Sequence, residues 1–290
     1  MPIAIVTDST CDLSAQELAD LDVQRVPLYV HFRGETFKDW IEITPGELIR
    51  GMQEGAESPT TSQPTPEDFS EAYRNAVANG ADEVLVLTIS SGLSGTYQSA
   101  ELAAKDAPVP VTVFDSRHAS IGVAYMIRRA AAMRDAGAPM SEVMAAMETI
   151  RDKNLLLFTV GTLEFLQRGG RIGRASALLG SILNIKPILS LDAGTVEPAG
   201  RARGAKKALK EMVSRLETYR SEHPEGELVL SFIHIQDPDA ADRLRTAIRD
   251  AGIEFRDAGL YEMGAVIGVH VGPGTYGYYA LADATPELGM

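Results

Sequence analysis

The first half of the chain alternates apolar, strand-like runs with helix-forming segments, and this alternation restricts the fold more than any other feature. The strand-like runs are PIAIVTD, RVPLYVHF, EVLVLTI, VTVFDS and NLLLFTV. Strong helix-start signals, each a threonine followed by a proline and an acidic residue, stand at Thr44 and Thr65. Near-continuous apolar strands separated by helices are typical of a parallel sheet with helices on both faces. We therefore predict an α/β fold in which residues 1–160 form a parallel-sheet, Rossmann-like domain.

The second half has a different pattern. LEFLQRGGRIGRASALLGSILNI is predicted to be helical with a glycine break, and helices are also predicted from Gly204 and over PDAADRLRTAIRDAG. The predicted strands are KPILSL and TVEPAGRA, joined as a hairpin around residues 192–194, followed by ELVLSFIHI, IEFRDAG and GAVIGVHVGPG. This mixture predicts a smaller α/β domain with a mixed sheet over residues 161–290.

The chain carries a formal net charge of −13, but its charges are unevenly distributed. The interval 165–210, which we call the basic segment, holds nine basic and two acidic residues. The basic ones are Arg168, Arg171, Arg174, Lys186, Arg201, Arg203, Lys206, Lys207 and Lys210. An acidic chain argues against nucleic-acid binding. A basic segment on it indicates one anionic ligand or one acidic partner surface, although solvated helix faces explain any single lysine equally well.

The sequence also predicts a compartment. No apolar run approaches the roughly 18 residues that a membrane-spanning helix requires, so no stable membrane insertion is expected. The first residues, MPIAIVTDST, lack the basic region and long apolar run of a signal peptide. Cys11 is the single cysteine, which is usual in a reducing compartment. We therefore expect a cytoplasmic protein.

Two segments are rich in hydroxyl side chains. TISSGLSGTYQSA, residues 88–100, follows a predicted buried strand and leads into a predicted helix, and SPTTSQP covers residues 58–64. Ligands of parallel α/β sheets bind beyond the carboxyl ends of the strands, where the first segment is predicted to lie. Helix capping needs one hydroxyl and explains only part of this pattern. Hydroxyls and N–H groups at a helix start suit a carboxylate or a phosphate, and residues 58–64 join this site if they lie nearby.

Several common sites lack their motifs. The P-loop string G-x-x-x-x-G-K-[ST] is absent, and the glycine-rich GGRIGRAS contains no G-x-G-x-x-G. The histidines show no metal-ligand spacing; they are His31, His118, His223, His234 and His270. We therefore expect no metal and no cofactor. His31 and His234 lie in predicted strands and are interpreted as structural.

A serine hydrolase remains an alternative. Gly92-Leu93-Ser94-Gly95-Thr96 nearly matches the nucleophile elbow G-x-S-x-G, but threonine replaces the second glycine. Such an enzyme would pair Ser94 with His270 as its base, with Asp8 or Asp115 to orient the imidazole. Glycines stand two residues before and after His270, which either admit a ligand to the ring or form a tight turn with an incidental histidine.

Taken together, the motifs resemble those of the DegV family of bacterial fatty-acid-binding proteins. The matching segments occur in family order over residues 3–274: VTDSTCDL, TTSQPTPEDF, VLTISSGLSGTYQSA, LEFLQRGGRIGRASALLGSILNIKPIL, KKAL and GVHVGPG. None is decisive alone, but the combination is highly specific. The resemblance implies a long-chain fatty acid bound between two domains. Residues 1–160 would carry the head-group loops, and residues 161–290 would close the pocket and carry the docking segment.

The resemblance further implies a non-catalytic lipid carrier. Such an acyl carrier presents the fatty acid carboxylate to a separate fatty acid kinase, which makes an acyl phosphate for phospholipid synthesis. The implied carboxylate-binding residues are Thr61, Ser62, Ser94, Gly95 through its N–H, His270 and Arg171. The implied partner-docking residue is Arg203, with Arg201 sharing the role, and Gly204 stands where members often have threonine. The apolar run at residues 175–185 either lines the tail pocket or packs in a core.

Overall fold

The computed structural model describes residues 2–55, 58–180 and 185–284. The strands in this part of the chain are β1 (Ile3–Asp8), β2 (Val23–Val26), β3 (Tyr29–Phe32), β4 (Glu35–Lys38), β5 (Thr60–Ser62), β6 (Glu83–Thr88), β7 (Val111–Asp115), β8 (Asn154–Thr159), β9 (Ile185–Asp192), β10 (Thr195–Arg203), β11 (Glu227–His234), β12 (Arg256–Glu262) and β13 (Tyr276–Asp283). The α-helices are α1 (Ala15–Asp20), α2 (Pro45–Gln53), α3 (Pro66–Ala78), α4 (Thr96–Ala104), α5 (Ile121–Asp135), α6 (Met140–Lys153), α7 (Glu164–Arg168), α8 (Ala205–Glu222), α9 (Pro238–Asp250) and α10 (Ala265–Val271).

The chain forms two compact units. Among the described residues, the first unit contains 2–44 and 58–152, and the second contains 45–55 and 153–284. The division falls between residues 152 and 153, not near 160, because β8 pairs with β13 and β9 in the second unit. With β8 and the inserted α2, the second unit is about as long as the first and is not the smaller one.

The first unit is built on the predicted parallel sheet. Its strand order is β2-β1-β6-β7, and every pair is parallel. On one face, Val84 and Val86 of β6 pack in a core with Phe69 and Tyr73 of α3 and Ala100 of α4. Helix α5 also packs on β1 and β6. Because the strands are parallel, the carboxyl ends of β1, β6 and β7 meet at one edge of the sheet.

The run RVPLYVHF, which the sequence predicts as one strand, is two strands in two sheets. Val23–Val26 pairs with β1, whereas Tyr29–Phe32 is the central strand of an antiparallel sheet ordered β4-β3-β5. Pro27 separates them because it has no N–H to donate to a ladder. The next N–H, that of Leu28, donates to the Ser9 hydroxyl at 3.0 Å.

The second unit contains a mixed six-stranded sheet, as predicted. Its order is β10-β9-β8-β13-β11-β12, and β11 and β12 form its parallel pair. The predicted hairpin is present, with β9 antiparallel to β10 around residues 193 and 194. Helices α8 and α9 cover one face through a core that includes Leu216, Leu244 and Phe232. The run NLLLFTV, expected to close the first sheet, is β8 of this one.

The expected strand GAVIGVHVGPG is wrong: residues 265–271 form α10, and β13 follows it. Valine and isoleucine favour strands, but tertiary packing overrides that preference here. A Cβ at Gly268 would lie 3.6 Å from Leu48 of α2, so α10 and α2 are in close contact. His270 therefore lies in the last turn of a short helix, not in a strand.

The expected long helical run after Leu163 is also shorter than predicted. Helix α7 ends at Arg168, and a 3₁₀ turn follows over Gly173–Leu178. Gly170 and Gly173 have φ of 70° and 52°, values that end a right-handed helix. The candidate wall at 175–185 includes residues 181–184, which lie outside the described residues.

Candidate functional site

The hydroxyl-rich segment forms a loop between β6 and α4, at the carboxyl edge of the parallel sheet. We call residues 89–95 the donor loop. Its neighbours in the sheet are the ends of β1 and β7, because β6 lies between those two strands. The predicted position of this segment is therefore confirmed by the first unit's topology.

Two aspartates fix the donor loop from the neighbouring strands. Asp8, at the end of β1, accepts the N–H of Ile89 at 2.7 Å and the N–H and hydroxyl of Thr10 at 2.9 and 2.5 Å. Asp115, at the end of β7, accepts the N–H and hydroxyl of Ser91 at 3.0 and 2.5 Å. Burial raises the pKa of Asp8, and its hydrogen bonds oppose that shift. The loop is thus attached on both sides by buried or partly buried hydrogen bonds.

The remaining backbone donors of the loop have partners up to Ser94. The N–H of Ser90 donates to the carbonyl of His118 at 2.8 Å, and that of Gly92 donates to the Ser90 hydroxyl at 3.1 Å. The N–H groups of Leu93 and Ser94 both donate to the carbonyl of Ser90, at 3.0 and 3.1 Å.

The series stops at Gly95. Within residues 2–55, 58–180 and 185–284, no acceptor takes the Gly95 N–H, and Gly95 provides no side-chain cap for α4. Gly95 is half-buried, so its N–H is open to solvent or to a ligand.

Ser94 stands beside that N–H. Its hydroxyl lies 2.8 Å from the Thr96 hydroxyl and accepts the Thr96 N–H at 3.3 Å. The expected capping role is therefore real, and the Ser94 hydroxyl has a proton to donate when Thr96 is the donor of the bond between the two hydroxyls. Ser94 as a whole is half-buried.

The geometry does not favour the hydrolase alternative. A nucleophile elbow holds its serine in a strained turn, but Ser94 is not among the described non-glycine residues with positive φ. Asp8 and Asp115, the candidates to orient an imidazole, instead accept hydrogen bonds from the donor loop and its flanking turns. Both carboxylates therefore have structural roles in the first unit.

The second hydroxyl-rich segment contains β5, and its two candidate residues point in opposite directions. Thr61 pairs with Val30 of β3 and Ser62 with Tyr29. Successive side chains of a strand alternate between faces, so Thr61 shares a face with the fully buried Val30. Ser62 lies on the other face, where its hydroxyl is 3.0 Å from Nε2 of His31. The two hydroxyls cannot donate side by side to one group.

The end of this segment adjoins the donor loop. Gln63, directly after β5, lies against Gly95 and donates from Nε2 to the Ser99 hydroxyl of α4 at 3.2 Å. The two hydroxyl-rich segments are thus neighbours, as the sequence required for a shared site. Gln63 itself was not predicted, and its place in TSQP beside Thr61 was the signal that could have found it.

In the second unit, His270 packs against the loop that contains Arg171. A Cβ at Gly169 would overlap Nδ1 of His270, so the ring rests on the glycine backbone. Arg171 donates to the Gly169 carbonyl at 2.7 Å. Burial, with a smaller effect from the charge of Arg171, lowers the pKa of His270 to about 4. The imidazole is therefore neutral at physiological pH and can donate one N–H.

The basic segment has two different parts in the structure. Arg174 pairs with both acidic residues of the segment, Glu197 at 2.5 Å and Asp192 at 3.3 Å. By contrast, Arg201 and Arg203 are exposed on β10, and no side chain in the described part of the chain pairs with either. The exposed cations continue on α8 as Lys206, Lys207 and Lys210. This surface thus keeps an uncompensated positive charge.

No helix in the described ranges combines the length and apolar character needed to cross a membrane. In the same ranges, no three histidine, cysteine or acidic side chains converge as metal ligands do. Cys11 is fully buried, and burial raises the pKa of its thiol.

Comparison with known proteins identifies the family. The sequence model of a protein family described as the DegV family matches residues 2–283 of this chain. A DegV domain-containing protein of Deinococcus radiodurans is 43% identical over 96% of this chain and 97% of its own. A fatty acid-binding protein of Thermotoga maritima is 34% identical, with 96% of this chain and 97% of its own covered.

A solved structure agrees with these relatives. This structure is of a DegV family protein from Thermus thermophilus and is described as showing its fatty acid binding. It matches this chain with a TM-score of 0.93 and 47% identity. The match covers 98% of this chain and 100% of that one. Family model, relatives and fold agree over nearly the whole length, and the chain belongs to the DegV family.

Proposed function

We propose that this protein binds a long-chain fatty acid and presents its carboxylate to a separate fatty acid kinase, which converts it to an acyl phosphate for phospholipid synthesis. In this proposal the protein is a cytoplasmic carrier without turnover of its own. Relatives described as fatty acid-binding proteins support the ligand class. The observation that carries the proposal is the Gly95 N–H, which remains available beside the Ser94 hydroxyl while its neighbours in the donor loop are engaged.

The proposed head-group donors are uncharged. They are the Gly95 N–H and Ser94 hydroxyl of the donor loop, the Thr61 hydroxyl of β5, and the neutral imidazole of His270. Arg171 supports His270 by holding the Gly169 carbonyl on which the ring rests. Ser62 has a supporting role, because its hydroxyl is hydrogen-bonded to His31 on the opposite face of the strand.

The tail, not the head group, should supply most of the affinity. At about 0.8 kcal/mol per buried methylene, some fourteen methylenes contribute on the order of 10 kcal/mol before ordering costs. Hydrogen bonds to a charged head contribute roughly 1.5–3 kcal/mol each at best, and desolvation offsets much of that. Neutral donors also suit a carboxylate that must later attack a phosphoryl group, since a bidentate arginine would stabilise the bound reactant too strongly.

The proposed docking surface for the kinase is the exposed positive charge at Arg203 and Arg201. Exposed cations without partners attract an acidic surface over a distance and are available on contact. Gly204, directly after Arg203, has φ of 80°. Residues with side chains rarely adopt this backbone conformation, so a threonine at this position would be strained.

The decisive test is whether the purified protein carries an intact fatty acid and binds it through the Gly95 N–H. Native mass spectrometry and lipid extraction should show a co-purifying long-chain fatty acid. On loading with palmitate, the Gly95 amide proton should move downfield in a ¹H–¹⁵N spectrum. The Gly92 amide, which already donates to Ser90, is the internal control.

Methyl palmitate is the matched ligand control, because it keeps the tail and removes the charge. It should leave the Gly95 resonance nearly unmoved. Absence of any bound fatty acid, or an unmoved Gly95 amide with palmitate, would reject the proposal. Steady turnover of a model acyl ester that is lost in Ser94→Ala would support the hydrolase instead.

A further inference from the structure

Gln63 lies in contact with Gly95, the residue whose N–H is available to a ligand. A Cβ built at Gly95 would overlap the Gln63 amide, with Cδ and Nε2 only 2.6 Å away. We propose that Gln63 is a positioning residue that holds the Thr61 strand against the start of α4, so that the donors of both segments keep a fixed geometry. This inference rests on the proposed function.

Glycine at position 95 leaves room for the Gln63 amide. Its φ is −76°, a value that any residue adopts readily, so the position does not require glycine for conformation. A side chain at this position would have to displace the Gln63 amide, which occupies the place of a Cβ. The glycine therefore serves a close approach between two segments, and the approaching group is Gln63.

A hydrogen bond fixes the far end of the same side chain. Nε2 of Gln63 donates to the Ser99 hydroxyl at 3.2 Å, and Ser99 is 5% exposed in the first turn of α4. Gln63 thus touches the start of α4 at two points, the N-cap Gly95 and Ser99 in the first turn. Two contacts to one helix define both the distance and the orientation of the segment that carries them.

The chain before and after Gln63 transmits that position to Thr61. Thr61 lies two residues upstream in β5, whose register is set by pairing with β3. Downstream, Pro64 is buried and Thr65 forms a capping box with Asp68 at the start of α3. Because both sides are anchored, movement of Gln63 relative to α4 is coupled to movement of Thr61 relative to the Gly95 N–H.

The consequence concerns the ligand carboxylate, a planar group with two oxygens. A carboxylate is held in one orientation only if its donors are fixed relative to one another. With Gln63 in place, the donors of β5 and of the donor loop act as one rigid set. Without it, tail burial would still retain the lipid, but its head group would be less ordered.

The test compares Gln63→Ala with Gln98→Ala. Gln98 is an exposed glutamine on α4, the helix that Gln63 contacts. In ligand-free protein, Gln63→Ala should shift the amide resonances of both Thr61 and Gly95, and Gln98→Ala should shift neither. With [1-¹³C]palmitate bound, Gln63→Ala should raise the titration midpoint of the ligand carboxyl by about 0.5–1 pH unit, since ordered donors stabilise the charged form. Lipid content by mass spectrometry should change less than about twofold, because the tail provides most of the affinity.

Gly95→Ala provides an independent route to the same defect. The added methyl group must displace the Gln63 amide while it keeps the Gly95 N–H. The carboxyl midpoint should therefore rise as in Gln63→Ala, and the double variant should show no further shift. Gln63→Met, which keeps contact with Gly95 but cannot bond Ser99, should give a smaller shift.

Two results separate the failure of this inference from the failure of the proposed function. If palmitate moves the Gly95 amide in the wild-type protein but Gln63→Ala behaves as Gln98→Ala does, the positioning role is wrong and the carrier function stands. Additive shifts from Gly95→Ala and Gln63→Ala would also overturn the positioning role. If palmitate leaves the wild-type Gly95 amide unmoved, the proposed function fails, and this inference fails with it.

Discussion

The donor loop and the exposed part of the basic segment differ in how they present polar groups. In the donor loop, each backbone N–H from Ile89 to Ser94 has a partner, and the aspartates beside it are engaged. On β10, Arg201 and Arg203 are exposed, and no described side chain pairs with them. The first arrangement fixes the position of one neutral donor, and the second offers charge without fixed geometry. Orientation of a small ligand needs the former, and capture of a large partner needs the latter.

The strongest challenge to this comparison is charge reversal on β10. Arg203→Glu should lower acyl phosphate formation with the proposed kinase about a hundredfold, because it places a negative charge in the surface proposed to bind acidic groups. Bound lipid, measured by native mass spectrometry, should be unchanged. Lys105→Glu makes the same charge change outside the basic segment and should have little effect. Unaltered acyl phosphate formation in Arg203→Glu would show that the docking assignment is incorrect.

Removal of one fixed point of the donor loop should cost stability. Asp8→Asn replaces one buried carboxylate oxygen with an NH₂ group, which would face the N–H and O–H donors that the carboxylate now accepts. We therefore expect the free energy of unfolding to fall by about 3 kcal/mol. Asp106→Asn, on the exposed surface, is the matched control. Denaturant unfolding measures both. Equal stability of the two variants would mean that the loop does not depend on its buried carboxylate.

His270 extends the comparison to pH. Its pKa is lowered to about 4, below the ordinary value, so the folded state favours the neutral ring. This stabilisation is fully present above about pH 6.5 and is lost as the pH falls towards about 4. Between pH 7.5 and 5, wild-type protein should lose about 2 kcal/mol more than His270→Gln in ligand-free unfolding experiments.

The variant also isolates this residue from a second histidine. Burial lowers the pKa of His118 to about 4 as well, but His118 is present in both proteins and its contribution cancels. Parallel pH profiles for wild-type and His270→Gln would contradict burial of a neutral ring at this position.

The smallest expected effect separates orientation from retention. Ser94→Ala removes one neutral donor and leaves the tail untouched. Lipid content should fall less than about twofold, whereas acyl phosphate yield with the kinase should fall about tenfold. Equal loss of both quantities would refute the division of labour between head and tail.

Local signals in the sequence predicted many elements correctly. The Thr65 and Asp68 pair predicted the start of α3, where a capping box is present. The turn at residues 193 and 194 predicted the β9–β10 hairpin. Alternation of apolar strands and helices predicted the parallel sheet and the position of the donor loop at its edge. The capping box and the hairpin depend on contacts within a few residues, whereas the sheet was predicted from a pattern that repeats along the chain.

The errors arose where distant contacts decide. Valine-rich residues 265–271 fold as α10 because they pack against α2, more than 200 residues earlier in the chain. The opposite directions of Thr61 and Ser62 depend on pairing with β3, which the sequence did not predict. Gln63 reaches Gly95 across the separation between β5 and α4, and no local pattern indicates that contact.

The insertion of α2 in the second unit has a consequence for synthesis. The ribosome makes residues 45–55 before most of the first unit, yet their packing partner α10 emerges more than 200 residues later. Until then, the apolar side of this helix, with Leu48 fully buried in the finished protein, lacks its contact with α10. A gene cut between codons 152 and 153 would therefore separate α2 from α10 and would not yield two independent folding modules. In the nascent chain, the apolar side of α2 stays without α10 until translation is almost complete.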